Sequence, residues 1–152
     1  MSALLAVDAG LRTGLALYSR HGRLMWCRSH NLGTTTRLKK AAARVLFELP
    51  ELEYIVVEGG GQTAGIWEHA AQKRGVPCLA IQAQDWRSDF ILPRQMVSGQ
   101  KAKAAACALV NSILRREGWS SPTTPGHDAA EAALIGLWAA VRLGWRIMPD
   151  LR

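Results

Sequence analysis

Two short stretches of this chain are almost wholly apolar, and each stops on an acid. Leu4-Leu5-Ala6-Val7 runs into Asp8, and Tyr54-Ile55-Val56-Val57 runs into Glu58. Apolar runs of this length, closed by a glycine-containing turn, read as buried strands. The second is rich in β-branched residues, which predicts a strand covered on both faces, hence central in its sheet and parallel to a neighbour. If the two strands are parallel neighbours, both carboxylates emerge at one edge of the sheet. That edge is where open α/β sheets place their ligands.

The rest of the chain supplies what such a sheet needs. Gly14 to Tyr18 and Leu24 to Cys27, joined by a turn at His21-Gly22, continue the first strand as an antiparallel meander. Thr34, Thr35 and Thr36 offer N-caps to a helix in which Leu38, Ala41, Ala42, Val45, Leu46 and Leu49 recur at helical spacing until Pro50 stops it. A helix is predicted over Ile66 to Arg74, and a last strand over Cys78 to Gln82. Gln84 to Gly99 shows no period and reads as irregular. Helices follow from Lys101 to Glu117 and from His127 to Leu143, with a Ser-, Thr- and Pro-rich loop from Trp119 to Gly126 between them. The order β-β-β-α-β-α-β-α-α predicts an α/β fold with a mixed sheet. The 152 residues suit one domain spanning 1–152. The longest apolar stretch, Ala129 to Val141, is interrupted by Glu131 and is shorter than the roughly 20 residues a bilayer needs. No signal peptide is read, since Asp8 follows a few apolar residues, and a cytoplasmic protein is expected. Cys27, Cys78 and Cys107 are widely spaced and read as small hydrophobes rather than as a disulfide or zinc framework.

Four of the twelve carboxylates stand outside helix faces and turns: Asp8, Glu58, Asp128 and Glu131. Asp128 and Glu131 are three apart at the start of the last helix, so they project from one side. Ile135 and Trp138 continue that stripe as an apolar face, which directs the acids toward the sheet. The helix N-terminus tolerates them because its dipole favours negative charge. Converging anions need neutralising by basic side chains or by divalent cations. Hard carboxylate oxygens suit Mg²⁺ or Mn²⁺. Two such ions a few ångströms apart would activate a water and stabilise the leaving oxygen of a phosphodiester. A polyphosphate substrate also accounts for the net charge of +7, carried by 14 arginines among 19 basic residues.

The combination resembles the ribonuclease H-like superfamily, and within it the RuvC-type Holliday junction resolvases with their phage and viral relatives. Val7-Asp8-Ala9-Gly10-Leu11-Arg12-Thr13-Gly14 is similar to the first motif of that family and Val56-Val57-Glu58 to its second. His127-Asp128-Ala129-Ala130-Glu131-Ala132 is similar to its last motif. Val97-Ser98-Gly99-Gln100-Lys101-Ala102-Lys103 resembles its basic segment, and Trp86-Arg87 a tryptophan-basic pair of phage and viral members. The resemblance covers nearly the whole chain. It implies a five-stranded mixed sheet, its first three strands antiparallel, flanked by helices. It implies a homodimeric, Mg²⁺-dependent endonuclease, with Mn²⁺ able to substitute, that nicks a four-way DNA junction symmetrically and leaves 5′-phosphates in a prokaryotic or phage-infected cell. Asp8 would bridge two metals, and Glu58, Asp128 and Glu131 would complete the shell. Two positions depart from the pattern. Gly59-Gly60-Gly61 stands where bacterial resolvases commonly carry an aromatic residue, and the last acid is Glu131 where Asp is more usual.

Lys101, Lys103, Arg12 and, by the resemblance, Arg87 are the expected DNA contacts, with phosphate the natural target. The triple glycine lacks the Lys-Ser/Thr ending of a phosphate-binding P-loop, so no nucleotide cofactor is expected. His127 reads as a helix cap or a neighbour of the acids, Trp138 as core, and Trp67 as part of a short helix suited to a dimer contact. Trp86 and Trp119 read as packing residues that could stack on exposed bases. Three rivals stand beside the resolvase. One is a nuclease of the same fold acting on forks, flaps or RNA. Another is a non-catalytic scaffold for branched DNA. The third, an actin- or kinase-like phosphotransferase, is disfavoured by the short chain.

Overall fold

The apolar runs become the centre of a five-stranded sheet. The computed structural model describes residues 2–91, 98–118 and 126–151. Its elements are β1 (Ala3–Asp8), β2 (Arg12–Ser19), β3 (Leu24–Asn31), α1 (Thr35–Phe47), β4 (Leu52–Glu58), α2 (Gly61–Arg74), β5 (Cys78–Ile81), α3 (Ala83–Phe90), α4 (Gly99–Arg116) and α5 (His127–Arg142). The strand order is β3-β2-β1-β4-β5. β2 is antiparallel to β1 and to β3, whereas β4 is parallel to β1 and to β5. This is the five-stranded mixed sheet that the resemblance implied, with its first three strands antiparallel and helices on both sides.

Side-chain alternation sorts β1 and β4 between two cores. Leu5, Val7, Ile55 and Val57 face α1 and α2, packing on Leu38, Ala42, Leu46 and Trp67. Leu4, Ala6 and Val56 face the other way, onto α5, α4 and α3. The whole central stretch of α5, Ala129 to Ala140, is buried, which makes it the spine of that second layer. Two glycines let it lie flat on the sheet. A Cβ at Gly14 would overlap the backbone of Asp128, and one at Gly136 would overlap the ring of Tyr18. The Tyr18 hydroxyl donates to the carbonyl of Ala133, and the Ala129 N–H donates to Ser29 Oγ at 3.0 Å. The second bond gives one orphan donor at the helix start a partner from β3.

Helix boundaries follow local chemistry. Thr34 caps α1 by accepting from the Arg37 N–H, and Gly75 ends α2 at a left-handed φ of 69°. α2 begins at Gly61, five residues before its apolar pattern starts, because the first turns carry glycine and polar residues that leave no period to read. The stretch after Gln84, read as irregular, instead opens with α3. Its Asp85 carboxylate accepts from the Gln82 N–H at 2.7 Å, and Trp86 and Phe90, one turn apart, are its two buried anchors. Two anchors in eight residues are too few to establish a helical period. Trp67 is a core residue, 1% exposed. Val97 and the loop residues 119–125, including Trp119, lie outside the described residues. Among the described residues, no helix is long and apolar enough to cross a membrane.

Candidate active site

The register of the sheet assembles the first pair of acids. Asp8 and Glu58 are partners across the β1–β4 ladder, and Asp8 faces Gly14 across the β1–β2 ladder. Each acid is two residues beyond an α5-facing residue, Ala6 for Asp8 and Val56 for Glu58. Period-two alternation therefore turns both carboxylates toward α5. Gly14, with no side chain, lets the start of α5 approach the sheet beside Asp8. One turn into that helix is Glu131, 5% exposed and the charged residue in a wall of alanines, leucines and a glycine.

The three carboxyls act on one another. Burial pushes Asp8 up to about 9, reinforced by the charges of Glu131 and Glu58 and by side-chain hydrogen bonds to both. A carboxyl that bonds another carboxyl must carry a proton between them, so Asp8 is held in its neutral form at pH 7. Glu58 is also raised, by burial first and by Glu131. Its bond to Asp8, the nearby charge of Arg87 and the indole of Trp86 work in the other direction.

Arg87 is the cation in this cluster. It projects from α3, and its Nη2 donates to Glu131 Oε1 at 3.0 Å. Its guanidinium carbon lies 5.4 Å from the centroid of the Trp86 ring. Trp86 is fully buried with its indole beside Glu58, and the buried Arg87 Nε closes no hydrogen bond. The guanidinium thus keeps one buried donor in reserve beside Glu131.

Other predicted residues are placed differently. Asp128 is half-buried one turn before Glu131, with its backbone against Gly14. It does not figure among the groups acting on Asp8; its charge is felt instead by Cys107, whose thiol is raised by burial, Glu131 and Asp128. His127 is exposed, and its Nδ1 lies 3.3 Å from Cys107 Sγ. Arg12, Lys101 and Lys103 are exposed, the first at the edge where β1 and β4 end and the other two in the opening turns of α4. Arg87, expected on phosphate, is engaged with Glu131. That pairing spans 44 residues and was not legible in the sequence. The Trp86-Arg87 motif marked the residues but not their target.

Asp8, Glu58 and Glu131 are three hard-oxygen donors facing one guanidinium, so fully ionised they would leave uncompensated negative charge in a mostly buried setting. That donor set fits Mg²⁺ or Mn²⁺. Among the described residues, no group of three or more His, Cys, Asp or Glu side chains is spaced to hold a metal ion by itself, so an ion here would take one or two of these carboxylates together with water or substrate oxygens.

No family model matches this chain, and no curated protein matches it. Among solved structures it is similar to the catalytic core domain of BIV integrase, at 10% identity over 88% of this chain and 80% of that one, with a TM-score of 0.37. It is also similar to a chain of the simian T-cell lymphotropic virus intasome in complex with PP2A regulatory subunit B56 gamma, at 11% identity and a TM-score of 0.36. There the match covers 98% of this chain and half of the other.

Proposed function

We propose that this chain is a divalent-metal-dependent endonuclease of branched DNA, a resolvase of the RuvC type. The reading rests on one observation: two parallel strand ends and a buried helix turn bring Asp8, Glu58 and Glu131 together on one face. A structural role gives no reason to gather three acids in a mostly buried pocket, because each desolvated carboxyl destabilises the fold unless a cation compensates it. Asp8, Glu58 and Glu131 would hold the metal, with Asp128 joining from the preceding turn of α5. Bound Mg²⁺ would supply Lewis-acid stabilisation of the phosphodiester and an acidic water.

The residues of the chain do the rest. Asp8 must lose its proton before it can serve as an anionic ligand, and a cation makes that loss favourable. Buried Trp86 and the apolar flank of α5 limit water at the acids and strengthen each charge interaction there. Arg12, Lys101 and Lys103 would hold the DNA backbone through phosphates, fixing register without reading bases. Symmetric nicking of a four-way junction would require two such sites related by a two-fold axis, hence a homodimer.

Asp8→Asn tests the assignment. It should abolish cleavage of a synthetic four-way junction in Mg²⁺, by roughly 10³-fold or more, while junction binding in a gel shift survives. Cleavage at the wild-type rate would overturn the site. One observation favours a second substrate: the segment after Glu58 is Gly59-Gly60-Gly61, with no aromatic side chain to wedge into a junction. A labelled panel of junction, fork, flap and RNA–DNA hybrid separates the two, paired symmetric nicks marking the resolvase.

A further inference from the structure

We propose that Arg87 competes with the divalent cation for Glu131, so that cation binding frees the guanidinium for a DNA phosphate; this rests on the metal-dependent reading above. The ion pair joins two different layers of the fold, α3 and α5, at 3.0 Å. It is largely shielded from water, the Glu131 side chain 7% and the Arg87 side chain 27% exposed. A shielded carboxylate cannot serve a guanidinium and a metal ion at full strength together, since each would withdraw the same electron density and the two cations repel.

The pair is also incomplete as a structural clamp. Arg87 Nε is buried and closes no hydrogen bond. A salt bridge kept for stability satisfies its remaining donors, because each unmade bond is costly. An unmade bond on the guanidinium is instead what a side chain shared between two positions would leave. Arginine suits the second position as well, since its planar fork matches a phosphate in the way it matches a carboxylate. Arg87 is therefore a positioning residue that keeps the acids compensated before metal arrives.

Isothermal titration of MgCl₂, and separately MnCl₂, into the full chain without DNA tests this directly. Arg87→Gln should bind the cation more tightly than wild type, by about tenfold, because the competing charge is gone. Arg87→Lys, which keeps the charge and loses the fork, should tighten it by a smaller factor. That variant carries the same test if the neutral one does not fold. Equal affinity of wild type and variants would sink the competition and leave the metal reading standing. Weaker binding by the variants would show a purely supporting role and overturn it. Heat in neither protein would overturn the proposal and the metal reading together. Binding by Arg87→Gln alone would be its strongest support.

Discussion

Asp8 is placed where its charge is least welcome, and this has a measurable consequence in the absence of metal. Its ordinary value is 3.8, and burial beside Glu131 and Glu58 lifts it to about 9 in the fold. Below the lower value, both the folded and the unfolded chain hold the proton, and Asp8 adds no pH dependence. Between the two, the folded chain retains a proton that the unfolded chain has released, so stability falls as pH rises across that interval and levels off above it. Asp8→Asn titrates nothing there, and its amide can donate to the neighbouring acids as the protonated carboxyl does. In EDTA, the melting temperature of Asp8→Asn should therefore equal that of wild type at the acid end and exceed it increasingly toward pH ~9. The gain should be roughly 2–4 °C for each kcal/mol recovered. Parallel pH profiles for the two proteins would show that Asp8 is not desolvated among acids. At this scale the sequence was informative about the acids and silent about their counter-ion. Asp8 and Glu58 each end an apolar run, and Glu131 breaks one, so local pattern exposes all three. Arg87 has no such mark, because its meaning depends on a helix with two anchors and a partner 44 residues away.

Among the elements, α5 decides whether the acids meet at all. It carries Glu131 across the sheet, and its approach is limited by what stands under it. Gly14 is the nearest constraint: the start of α5 passes so close that any Cβ there would collide with the Asp128 backbone, which cannot swing aside as a side chain tip would. Gly14→Ala should lower stability by roughly 1–3 kcal/mol in urea unfolding, as overpacking of a close contact does. It should also lift Glu131 away from Asp8 and weaken Mg²⁺ binding. Gly65→Ala is the control. This glycine lies inside α2 with open space where a Cβ would go, so alanine should raise stability by roughly 0.5–1 kcal/mol through helix propensity alone. Stability unchanged by Gly14→Ala would mean that α5 has room to move. The strands were readable because burial on both faces writes itself as unbroken β-branched sequence, and the parallel pairing of β1 with β4 followed from it. The close approach at Gly14 was not readable, since a glycine inside a strand carries no statement of what passes over it.

At the scale of the whole molecule, the net charge of +7 bears on how DNA would be held, and its reach can be measured as a salt dependence. Several arginines are already engaged within the protein: Arg20 with Glu53, Arg44 with Glu48, Arg87 with Glu131 and Arg146 with Glu117. Those cations are partly neutralised, so gross charge overstates what is available to phosphate. Arg12, Lys101 and Lys103 are exposed, the first at the start of β2 beside the end of β1 and the other two in the opening turns of α4. Under the proposed function, each neutralises one phosphate and releases its condensed counterions, which steepens the slope of log affinity against log salt by about 0.9 for duplex arms. Replacing all three with glutamine should therefore flatten that slope by about 2.7 for a four-way junction in EDTA, with affinity lost nearly uniformly across junction sequences. EDTA matters to the design: under the competition argued for Arg87, that residue stays on Glu131 without metal and adds nothing to the slope. In Mg²⁺, with a junction whose scissile linkages resist cleavage, the slope of the triple variant should steepen again by about one contact as Arg87 is released. A slope that ignores all three substitutions would move the DNA surface away from the start of β2 and the opening of α4.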